Sequence, residues 1–383
     1  FKNYTTFSLW DTYRAAQPLM TILQPERMSD IINTMLHIYQ QQGKLPVWHL
    51  MGCETNCMVG NPGVPVVADA ILKDIKGFDS ELAFKALKES SMLPERGMEY
   101  RIQYGFIPAD KMTEAIAYDM EYAIADWAVA QAARRLGKQE DYTYFLERSK
   151  SYKNYFDAST GFMRGKLSDG SWRTPFSPYA SAHRDDDYCE GNAWQYTWLV
   201  PQDVEGLVAC FGSKDAFVHK LDSLFLASGD MGEASSPDIS GLIGQYAHGN
   251  EPSHHITYLY TLVGQPWKTA ERVKEILHTM YTDQPDGLSG NEDVGQMSAW
   301  YILSSFGFYQ VEPAGGKFVF GYPNFEKVEI AVPGGQFVIK REDKGQKNCY
   351  IQGVLLNGKE YKKAWIDYAD IMKGGELTFL MGD

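Results

Sequence analysis

The stretch GNEDVGQMSAWYILSSFG, residues 290–307, joins a polar loop to an apolar segment that has the periodicity of a helix. An asparagine and two acidic residues follow its first glycine, and a second glycine stands just before the helical segment. Because glycine has no side chain, polar groups beside it at a helix start are left uncovered and can contact a ligand. This unit predicts a helical fold with a polar site at its loops.

The same combination of glycine, amide and acid occurs in two other loops. EGN at residues 190–192 precedes AWQYTWLV, and GNE at residues 249–251 precedes PSHHITYLYTLVG. Three loops of one chemical kind, each leading into a helix-like segment, indicate parts of one polar site. We therefore expect an enzyme that acts on a neutral, hydroxyl-rich substrate.

The region of residues 1–312 has the periodicity of roughly twelve helices, among them single helices over residues 10–23 and 193–200. Polar loops fall at alternate connections, around residues 10–14, 48–61, 98–111, 184–195, 248–255 and 290–297. In a closed ring of helical hairpins, every second connection lies at the same end. The pattern therefore predicts a mainly α fold, an (α/α)6 barrel with a polar end, and an irregular helical bundle is the alternative.

After residue 313 the pattern changes to alternating apolar residues between turns. KFVFGY, KVEIAV, QFVIKRED, CYIQGVLLNG and GELTFLMG are predicted strands. Residues 313–383 are thus a small C-terminal all-β segment, which is too short for a core of its own and is expected to pack on the barrel.

Composition excludes several classes of function. The formal net charge of the 383 residues is -13, which argues against nucleic acid or an anionic membrane as a partner, and no apolar run is long enough to span a bilayer.

The 5 cysteines include no CxxC pair and are expected to be free thiols, buried or half-buried. No P-loop, GxGxxG, GxSxG or HExxH motif occurs, and a first residue other than Met suggests a start inside a longer gene product.

Two loops contain candidate catalytic carboxyls. Asp185, Asp186, Asp187 and Glu190 place four carboxyls in six positions, and mutual repulsion raises at least one pKa. Glu190 beside Gly191 is the best general acid, although the same aspartates could form a solvated loop or a cation site. Asp293 is the matching base of a glycosidase-like pair, and its alternative role, shared with Glu292, is a charge at a helix start.

HGNEPSHH offers metal ligands. Asn250 and Glu251 carry hard oxygen atoms that suit Ca²⁺. A zinc site would use His248, Glu251 and either His254 or His255, but the HExxH spacing is absent. The purely structural alternative is a capped helix with one histidine packed in the core.

Other polar loops add aromatic and charged groups that suit a sugar. Trp10, Asp11 and Arg14 combine a stacking surface, a carboxylate and a guanidinium, although an Asp–Arg pair on a helix is also common. The candidate substrate-binding residues are Trp10, Asp11, Arg14, Trp48, Glu54, His248 and Asn291.

WDTYR, CETN, YCEGNAWQY, HGNEPSHH and GNEDVGQMSAWY, in this order, resemble glycoside hydrolase family 92, the calcium-dependent α-mannosidases. The resemblance covers nearly all of the chain. It implies an (α/α)6 catalytic domain that releases terminal mannose from a glycan with inversion, as in N-glycan degradation, and Ca²⁺ that binds the 2- and 3-hydroxyls of the mannose. Matched by motif, Glu190 is the acid, Asp293 the base, Asn250 a calcium ligand and Asp11 a mannose-binding carboxylate.

The chain departs from the family pattern at two places. Asn291 stands where many members carry a second aspartate two positions before the base, so Asp293 is expected to act without it. The N-terminal β-sandwich that completes the sugar pocket in the family is missing from this sequence. The family implies an extracytoplasmic location, periplasmic or secreted. Another (α/α)6 carbohydrate-active enzyme and a non-catalytic glycan-binding module remain the alternatives.

Overall fold

The computed structural model describes residues 1–345 and 350–383. Helices are the main regular elements up to residue 306, and strands dominate from residue 308 onward, although one short helix, Tyr368–Met372, interrupts the segment predicted to be all-β. The predicted order, a mainly helical part followed by a β segment, is therefore confirmed.

In the described ranges the helices are α1 (Leu9–Thr12), α2 (Ala16–Leu23), α3 (Pro25–Gln42), α4 (Gly63–Leu72), α5 (Ser80–Ser90), α6 (Met98–Tyr104), α7 (Ala115–Arg135), α8 (Gln139–Arg148), α9 (Ala193–Tyr196), α10 (Val204–Cys210), α11 (Lys214–Leu224), α12 (Leu259–Leu262), α13 (Pro266–Thr279), α14 (Gln296–Phe306) and α15 (Tyr368–Met372). Three 3₁₀ turns lie at Ser151–Asn154, Glu251–Ser253 and Ile256–Tyr258. Several helices end as the sequence predicts, for example α3, which is closed by Gly43 in the left-handed conformation.

Within the same ranges the strands are β1 (Phe7–Ser8), β2 (Trp48–Leu50), β3 (Cys53–Glu54), β4 (Phe156–Asp157), β5 (Phe162–Met163), β6 (Leu242–Ile243), β7 (Tyr246–Ala247), β8 (Phe308–Gln310), β9 (Lys317–Phe320), β10 (Lys327–Val332), β11 (Gly335–Asp343), β12 (Tyr350–Leu356), β13 (Lys359–Glu360), β14 (Trp365–Asp367) and β15 (Gly375–Gly382). Each predicted C-terminal strand is present, except that the expected start at Cys349 lies outside the described residues. The first of these C-terminal strands, β8, precedes the expected boundary at 312/313.

The C-terminal strands form two sheets. The larger has the order β10-β11-β15-β12-β13, in which β11 and β15 run parallel and the other neighbours run antiparallel. The smaller has the order β14-β9-β8. At the N-terminal end of the chain, β1, β2 and β3 form a separate antiparallel sheet in which Ser8 pairs with Trp48.

The β segment packs on the helical part and shares its core. One continuous cluster of buried apolar residues extends from Phe7 to Met381. Polar contacts also cross the junction, since the Tyr368 hydroxyl donates to the Thr21 carbonyl at 2.9 Å and the Gly315 N–H donates to Asp69 at 2.8 Å. The β segment therefore shares the hydrophobic core of the helical part, which a segment this short needs.

Three local predictions were wrong. The predicted helix over residues 10–23 is broken between α1 and α2, because the Ala15 and Ala16 N–H groups bond to the Gln296 side chain. The predicted helix over residues 193–200 ends at Tyr196, shortly before Pro201, which cannot continue a helical hydrogen-bond ladder. The stretch treated as a loop around residues 98–111 begins instead with α6.

Cysteine exposure differs in part from the expectation. Cys189 is buried and Cys210 half-buried, as predicted, and both are free. Cys53 and Cys57 are also free but exposed, so the prediction was wrong for these two. The prediction for Cys349 concerns a position outside the described residues. Among the helices of the described ranges, none has the length and apolar character needed to cross a bilayer.

A buried ionic network ties α6 to α7. The Arg101 guanidinium, which is fully buried, donates to Asp119 at 2.6 Å and also to Asp126. Arg101 Nη2 donates to the Arg148 carbonyl and to the Ser151 hydroxyl. Both aspartates are buried as well; Asp126 is also paired with Arg148 at 2.5 Å, whereas Asp119 receives its other hydrogen bonds from neutral donors, the hydroxyls of Ser151 and Tyr155.

We expect Arg101→Met to lower the free energy of unfolding by ~3–5 kcal/mol, because it leaves the buried Asp119 carboxylate without a cation and removes one of the two that bind Asp126. Lys150→Met is the matched control, since it removes the exposed Lys150–Glu147 pair and should cost less than ~1 kcal/mol. Urea denaturation of both variants measures the difference. Equal stabilities would contradict the assignment of the Arg101 network as a structural anchor.

Candidate active site

Two of the three glycine-containing loops touch through their backbones. Gly290 has a φ of +75°, and a Cβ placed there would overlap the carbonyl oxygen of Gly249. Both the conformation and the contact therefore require glycine at position 290. The approach brings Asp293 on one loop and Glu251 on the other to the same place.

The side chain of Gln296, the first residue of α14, connects the loops. Its carbonyl oxygen accepts the Ala15 N–H at 3.0 Å and the Ala16 N–H at 3.1 Å, and its amide nitrogen lies 2.9 Å from His254 Nδ1. All of these groups but Ala16 are fully or nearly fully buried. Gln296 thus joins the segment that carries Asp11, the loop that carries Glu251 and the helix that follows Asp293.

A chain of hydrogen bonds continues from Gln296 through two histidines. With Nδ1 accepting from Gln296, His254 donates from Nε2 to the His248 carbonyl at 3.0 Å. The His248 ring in turn lies between the hydroxyls of Tyr246, at 2.9 Å, and Tyr281, at 2.8 Å. Burial lowers the pKa of His248 to about 3 and that of His254 well below its ordinary value, so both rings are neutral.

The Glu190 loop is fixed to the same centre by amide side chains. Asn192 caps α9 in a capping box with Gln195 and donates to the Gln245 side chain at 3.0 Å. From the opposite loop, Asn250 Nδ2 donates to the Glu190 carbonyl at 2.8 Å and lies 3.4 Å from Glu190 Oε2. All three loops of the repeated chemical kind therefore meet.

Three carboxyl groups converge at this meeting point. One oxygen of each of Asp11, Glu251 and Asp293 lies within 4.8 Å of the others, and they form the one such cluster of potential metal ligands in residues 1–345 and 350–383. Glu251 is fully buried, and neither of its oxygens receives a hydrogen bond from an N–H or O–H group of the described chain. A buried carboxylate without donors is unstable unless it is protonated or bound to a cation.

The protonation of the cluster reflects burial and mutual repulsion. Burial, followed by the charges of Asp11 and Asp293, raises the pKa of Glu251 well above its ordinary value. Burial and the Asp293 charge raise the pKa of Asp11 to about 7, although its bond from Ser8 and the charge of Arg14 oppose this. Burial also raises the pKa of Asp293, and contact with the Glu251 carboxyl partly offsets that rise. Without a cation the three groups cannot all ionise near neutral pH.

Glu190 stands beside the cluster in a strained conformation. Its φ is +50°, and that of Asp293 is +51°, which are left-handed values that non-glycine residues seldom adopt. Burial, followed by the charge of Asp238, raises the pKa of Glu190 to about 7, and the Asp293 charge adds to this. The carboxyl therefore holds a proton at neutral pH more readily than a solvated glutamate.

Asp238 is a site residue that the sequence did not indicate. It is half-buried, accepts the Ser236 hydroxyl at 2.9 Å, and its charge raises the pKa of both Glu190 and Asp293. Its segment lies against the Glu251 loop through the Gly249 N–H, which donates to the Ser240 carbonyl at 3.0 Å. The surrounding SSPDIS lacks the glycine–amide–acid pattern, so no local signal singles it out.

Two predicted substrate-binding residues, Trp10 and Arg14, are buried. Trp10 is fully buried, with an indole N–H that has no partner in the described chain. The Arg14 guanidinium packs 4.9 Å from the Trp10 ring centroid and is bound to Glu121 at 2.6 Å. Both side chains are thus buried in contact with other protein groups, the Arg14 charge lowers the pKa of Asp11, and direct contact with a sugar stays a prediction.

The hairpin of β2 and β3 carries two more candidates. Trp48 is half-buried and pairs with Ser8, whose hydroxyl bonds to Asp11. Glu54 uses its carboxylate to accept the N–H groups of Val47 and Trp48, at 2.8 and 3.0 Å, and that of Asn56. Burial alone would raise the pKa of Glu54, but these backbone donors lower it below its ordinary value. Glu54 therefore shapes the hairpin that presents Trp48.

His248 and Asn291 have opposite environments. His248 is fully buried and both ring nitrogens are hydrogen-bonded, whereas Asn291 is exposed at the surface of its loop. The neighbouring Glu292 accepts the N–H and the hydroxyl of Ser298, so the helix-start role expected as an alternative fits this residue. The geometry gives no support to the zinc alternative: both ring nitrogens of His248 and His254 and Nε2 of His255 are hydrogen-bonded to protein groups, and no histidine of the described chain joins the carboxyl cluster.

The aspartates before Glu190 do not form a cation site together. Asp186 accepts the N–H groups of Ala182 and Tyr188, and Asp187 pairs with Arg173 at 2.9 Å. Burial, opposed by those two N–H groups, raises the pKa of Asp186 to about 7. The alternative of a shared cation at Asp185–Asp187 finds no convergent oxygens in the described chain.

We expect Gln296→Leu to cost at least ~3 kcal/mol of stability, because it leaves the Ala15 and Ala16 N–H groups and His254 Nδ1 without partners. Ser298→Ala, two residues further on the exposed face of the same helix, should cost at most ~1 kcal/mol. Chemical denaturation followed by circular dichroism compares the two. A Gln296→Leu variant as stable as the Ser298→Ala variant would remove Gln296 from its bridging role.

Known proteins resemble this chain over its whole extent. The model of the glycosyl hydrolase family 92 catalytic domain matches residues 1–383. A structure of a family GH92 α-mannosidase from Bacteroides thetaiotaomicron in complex with mannoimidazole is 41% identical with a TM-score of 0.95, and the match covers 100% of this chain and 52% of that one. A family GH92 inverting mannosidase from the same organism is 34% identical with a TM-score of 0.89, over 99% of this chain and 53% of that one.

A curated relative extends the comparison to a fungus. An uncharacterized secreted glycosidase of Arthroderma benhamiae is 27% identical over 97% of this chain and 51% of its own length. The chain therefore spans about half the length of the relatives it matches. With its loops, carboxyl cluster and whole-length match, the chain belongs to glycosyl hydrolase family 92, of which it is a catalytic domain.

Proposed function

We propose that this chain is the catalytic portion of an exo-acting α-mannosidase that hydrolyses terminal α-linked mannose with inversion. The observation that carries the proposal is that Glu190 lies beside the cluster of Asp11, Glu251 and Asp293. The pKa of Glu190 is raised to about 7, so its carboxyl retains a proton near neutral pH. Support also comes from two relatives described as an α-mannosidase and an inverting mannosidase, at 41% and 34% identity.

In the same proposal the helical part is an (α/α)6 barrel whose polar end forms the site. The alternation of polar loops along the sequence supports this arrangement, and so does the approach of the loops at 190–192, 249–251 and 290–293. A barrel places such loops at one end because alternate connections of helical hairpins lie on the same side.

The residues at the cluster fit a calcium ion. Glu251 has two buried oxygens without donors, and Asp11 and Asp293 bring further carboxyl oxygens within 4.8 Å. Hard oxygen ligands of this kind suit Ca²⁺, and Asn250 on the same loop adds an amide and a backbone carbonyl. When bound, Ca²⁺ would supply positive charge that allows the carboxyls to ionise and would organise adjacent hydroxyls of a mannose ring.

The two carboxyls on strained turns divide the acid–base work. Glu190 donates its proton to the glycosidic oxygen of the leaving sugar, because its raised pKa keeps it protonated at neutral pH. Asp293 in its ionised form accepts a proton from the water that attacks the anomeric carbon from the other face, which inverts the configuration. Asp11 accepts hydrogen bonds from the hydroxyls of the terminal mannose, above the buried Trp10 and Arg14.

Calcium should stabilise the protein and support its activity. Activity of the full-length protein on an α-mannobioside should be lost in chelator and restored by added Ca²⁺, and Ca²⁺ at ~100 times Kd should add ~2.7 kcal/mol of stability. Glu251→Gln should abolish both responses. Glu292→Gln is the control that should keep them, since Glu292 binds Ser298 rather than the cluster. Full activity in chelator would contradict the calcium proposal.

Glu190→Gln should distinguish substrates by their leaving groups. Hydrolysis of an α-mannobioside should fall by ~10²–10⁴-fold, because the sugar oxygen needs a proton, whereas an activated aryl α-mannoside should lose much less. Asp185→Asn, an exposed acid of the same loop, is the control that should retain activity on both. Equal losses on both substrates would argue against Glu190 as the acid.

The pH profile provides a further test of the same residue. Because the acid must be protonated, kcat/KM of the unmodified protein should fall as pH rises through the Glu190 pKa of about 7, whereas a fall toward acidic pH reports protonation of the base Asp293. In Glu190→Gln the residual activity on the aryl substrate should lack this alkaline fall. An alkaline fall that persists unchanged in the variant would assign it to another group.

An extracytoplasmic location is part of the proposal. The Arthroderma benhamiae relative is described as secreted, and it matches 97% of this chain. Glycans that carry terminal mannose are substrates encountered outside the cytoplasm, which agrees with the activity proposed above.

A further inference from the structure

The start of α7 binds the loop that leads to Glu190. The Glu114 N–H, at the N-cap, donates to the Asp186 carbonyl at 2.6 Å, and the Ile116 N–H donates to the Asp187 carbonyl at 3.0 Å. The first N–H groups of a helix need partners from outside the helix, which a capping side chain commonly supplies. Because backbone carbonyls of the loop take that role here, the loop is fixed to a helix of 21 residues.

The side chain of Glu114 is directed at the same loop. It makes no capping hydrogen bond to α7. Burial raises the pKa of Glu114, and a hydrogen bond from the Cys189 thiol and the charge of Arg184 oppose this rise. Burial and the Glu114 charge raise the pKa of the thiol well above its ordinary value, so the thiol keeps the proton that it donates. The carboxyl thus contacts the residue immediately before Glu190.

Cys189 is held on its backbone as well as on its side chain. Its N–H donates to the Tyr196 hydroxyl at 3.3 Å, and that hydroxyl donates to the Cys189 carbonyl at 2.6 Å. The Tyr196 ring also lies where a Cβ on Gly191 would be, so the residue after Glu190 is confined too. Between these two fixed neighbours, Glu190 adopts its left-handed φ of +50°, a conformation that persists only where the surroundings impose it.

The Glu114 carboxyl is unfavourable for the stability of the fold. Its residue is only 9% exposed, and its Oε1 has no hydrogen-bond partner in the described chain. Its φ of +55° adds backbone strain. A smaller apolar side chain would avoid the desolvation of the carboxyl, and a thiol is only a weak donor in return. Groups that are this unfavourable are typical of residues with a role in function.

We propose that Glu114 is a positioning residue for the general acid, which it holds through Cys189 in the left-handed turn that directs the Glu190 carboxyl toward the glycosidic oxygen. The proposal rests on the proposed function for the role of Glu190. Because the Arg101 network anchors α7, the position of this helix is transmitted through Glu114 to the acid. A displacement of an acid by about 1 Å is enough to slow a reaction by ~10²-fold.

Kinetics of the full-length protein on two α-mannosides test this role. In Glu114→Ala, kcat on an α-mannobioside should fall by up to ~10²-fold with KM unchanged, because the sugar still binds but the acid is displaced. An activated aryl α-mannoside, whose leaving group needs no proton, should lose much less. Glu114→Gln should regain most of the lost activity, because its amide oxygen also accepts from the Cys189 thiol. The control is Asp110→Ala, which removes an exposed carboxyl bound to Ser168 and should change neither substrate.

Cys189→Ala is a second variant, which decides the question if Glu114→Ala does not fold. It should show the same selective loss on the mannobioside, and the double variant should lose no more than either single one, since all break one contact. Equal losses on both substrates would indicate a purely structural role and overturn the proposal. So would full activity of Glu114→Ala, additive losses in the double variant, or a Glu114→Gln variant as impaired as Glu114→Ala.

Failure of the proposed function has a different signature. If Glu190 is not the acid, Glu190→Gln itself loses activity equally on both substrates. If Glu190→Gln shows the selective loss and the Glu114 and Cys189 variants do not, the proposed function stands and the positioning role alone is overturned.

Discussion

The amide side chain of Gln296 is the contact on which the site depends. Through one oxygen and one nitrogen it joins the Ala15 and Ala16 N–H groups to His254, so that segments 281 residues apart in sequence are fixed together. The interruption between α1 and α2 is a consequence, because two N–H groups turn from the helix to this side chain. Without that interruption Asp11 would not be held beside the loops of Glu251 and Asp293.

Bringing these carboxyls together opposes folding. Asp11, Glu251 and Asp293 lie within 4.8 Å, and burial adds to their repulsion, which raises the pKa of all three. Native proteins retain such costly arrangements at sites where a ligand or a reaction compensates for them. The left-handed turns at Glu190 and Asp293 have a similar cost, and both occur at residues proposed to exchange protons with the substrate.

Packing in the rest of the fold offsets the free-energy cost of the carboxyl cluster and of the left-handed turns. The core is continuous from the N-terminal strand to the last sheet, so the β segment contributes to the rigidity of the helical part. Neutral buried histidines and tyrosines, such as His248 between Tyr246 and Tyr281, support the loops with saturated hydrogen bonds. A fully satisfied polar network of this kind fixes one arrangement of the loops.

Periodicity and glycine act over a few residues, so the sequence predicts α3, the C-terminal strands and the three glycine loops, although it misses the break between α1 and α2. It also predicts that the loops of Glu190, Asn250 and Asp293 lie together. The folded chain places Asp11 beside Glu251, brings the Asp238 charge near Glu190, and buries Trp10 and His248. These relations depend on contacts between segments that are distant in sequence. No local pattern specifies which backbone N–H groups Gln296 will bind, or which side chains will be buried.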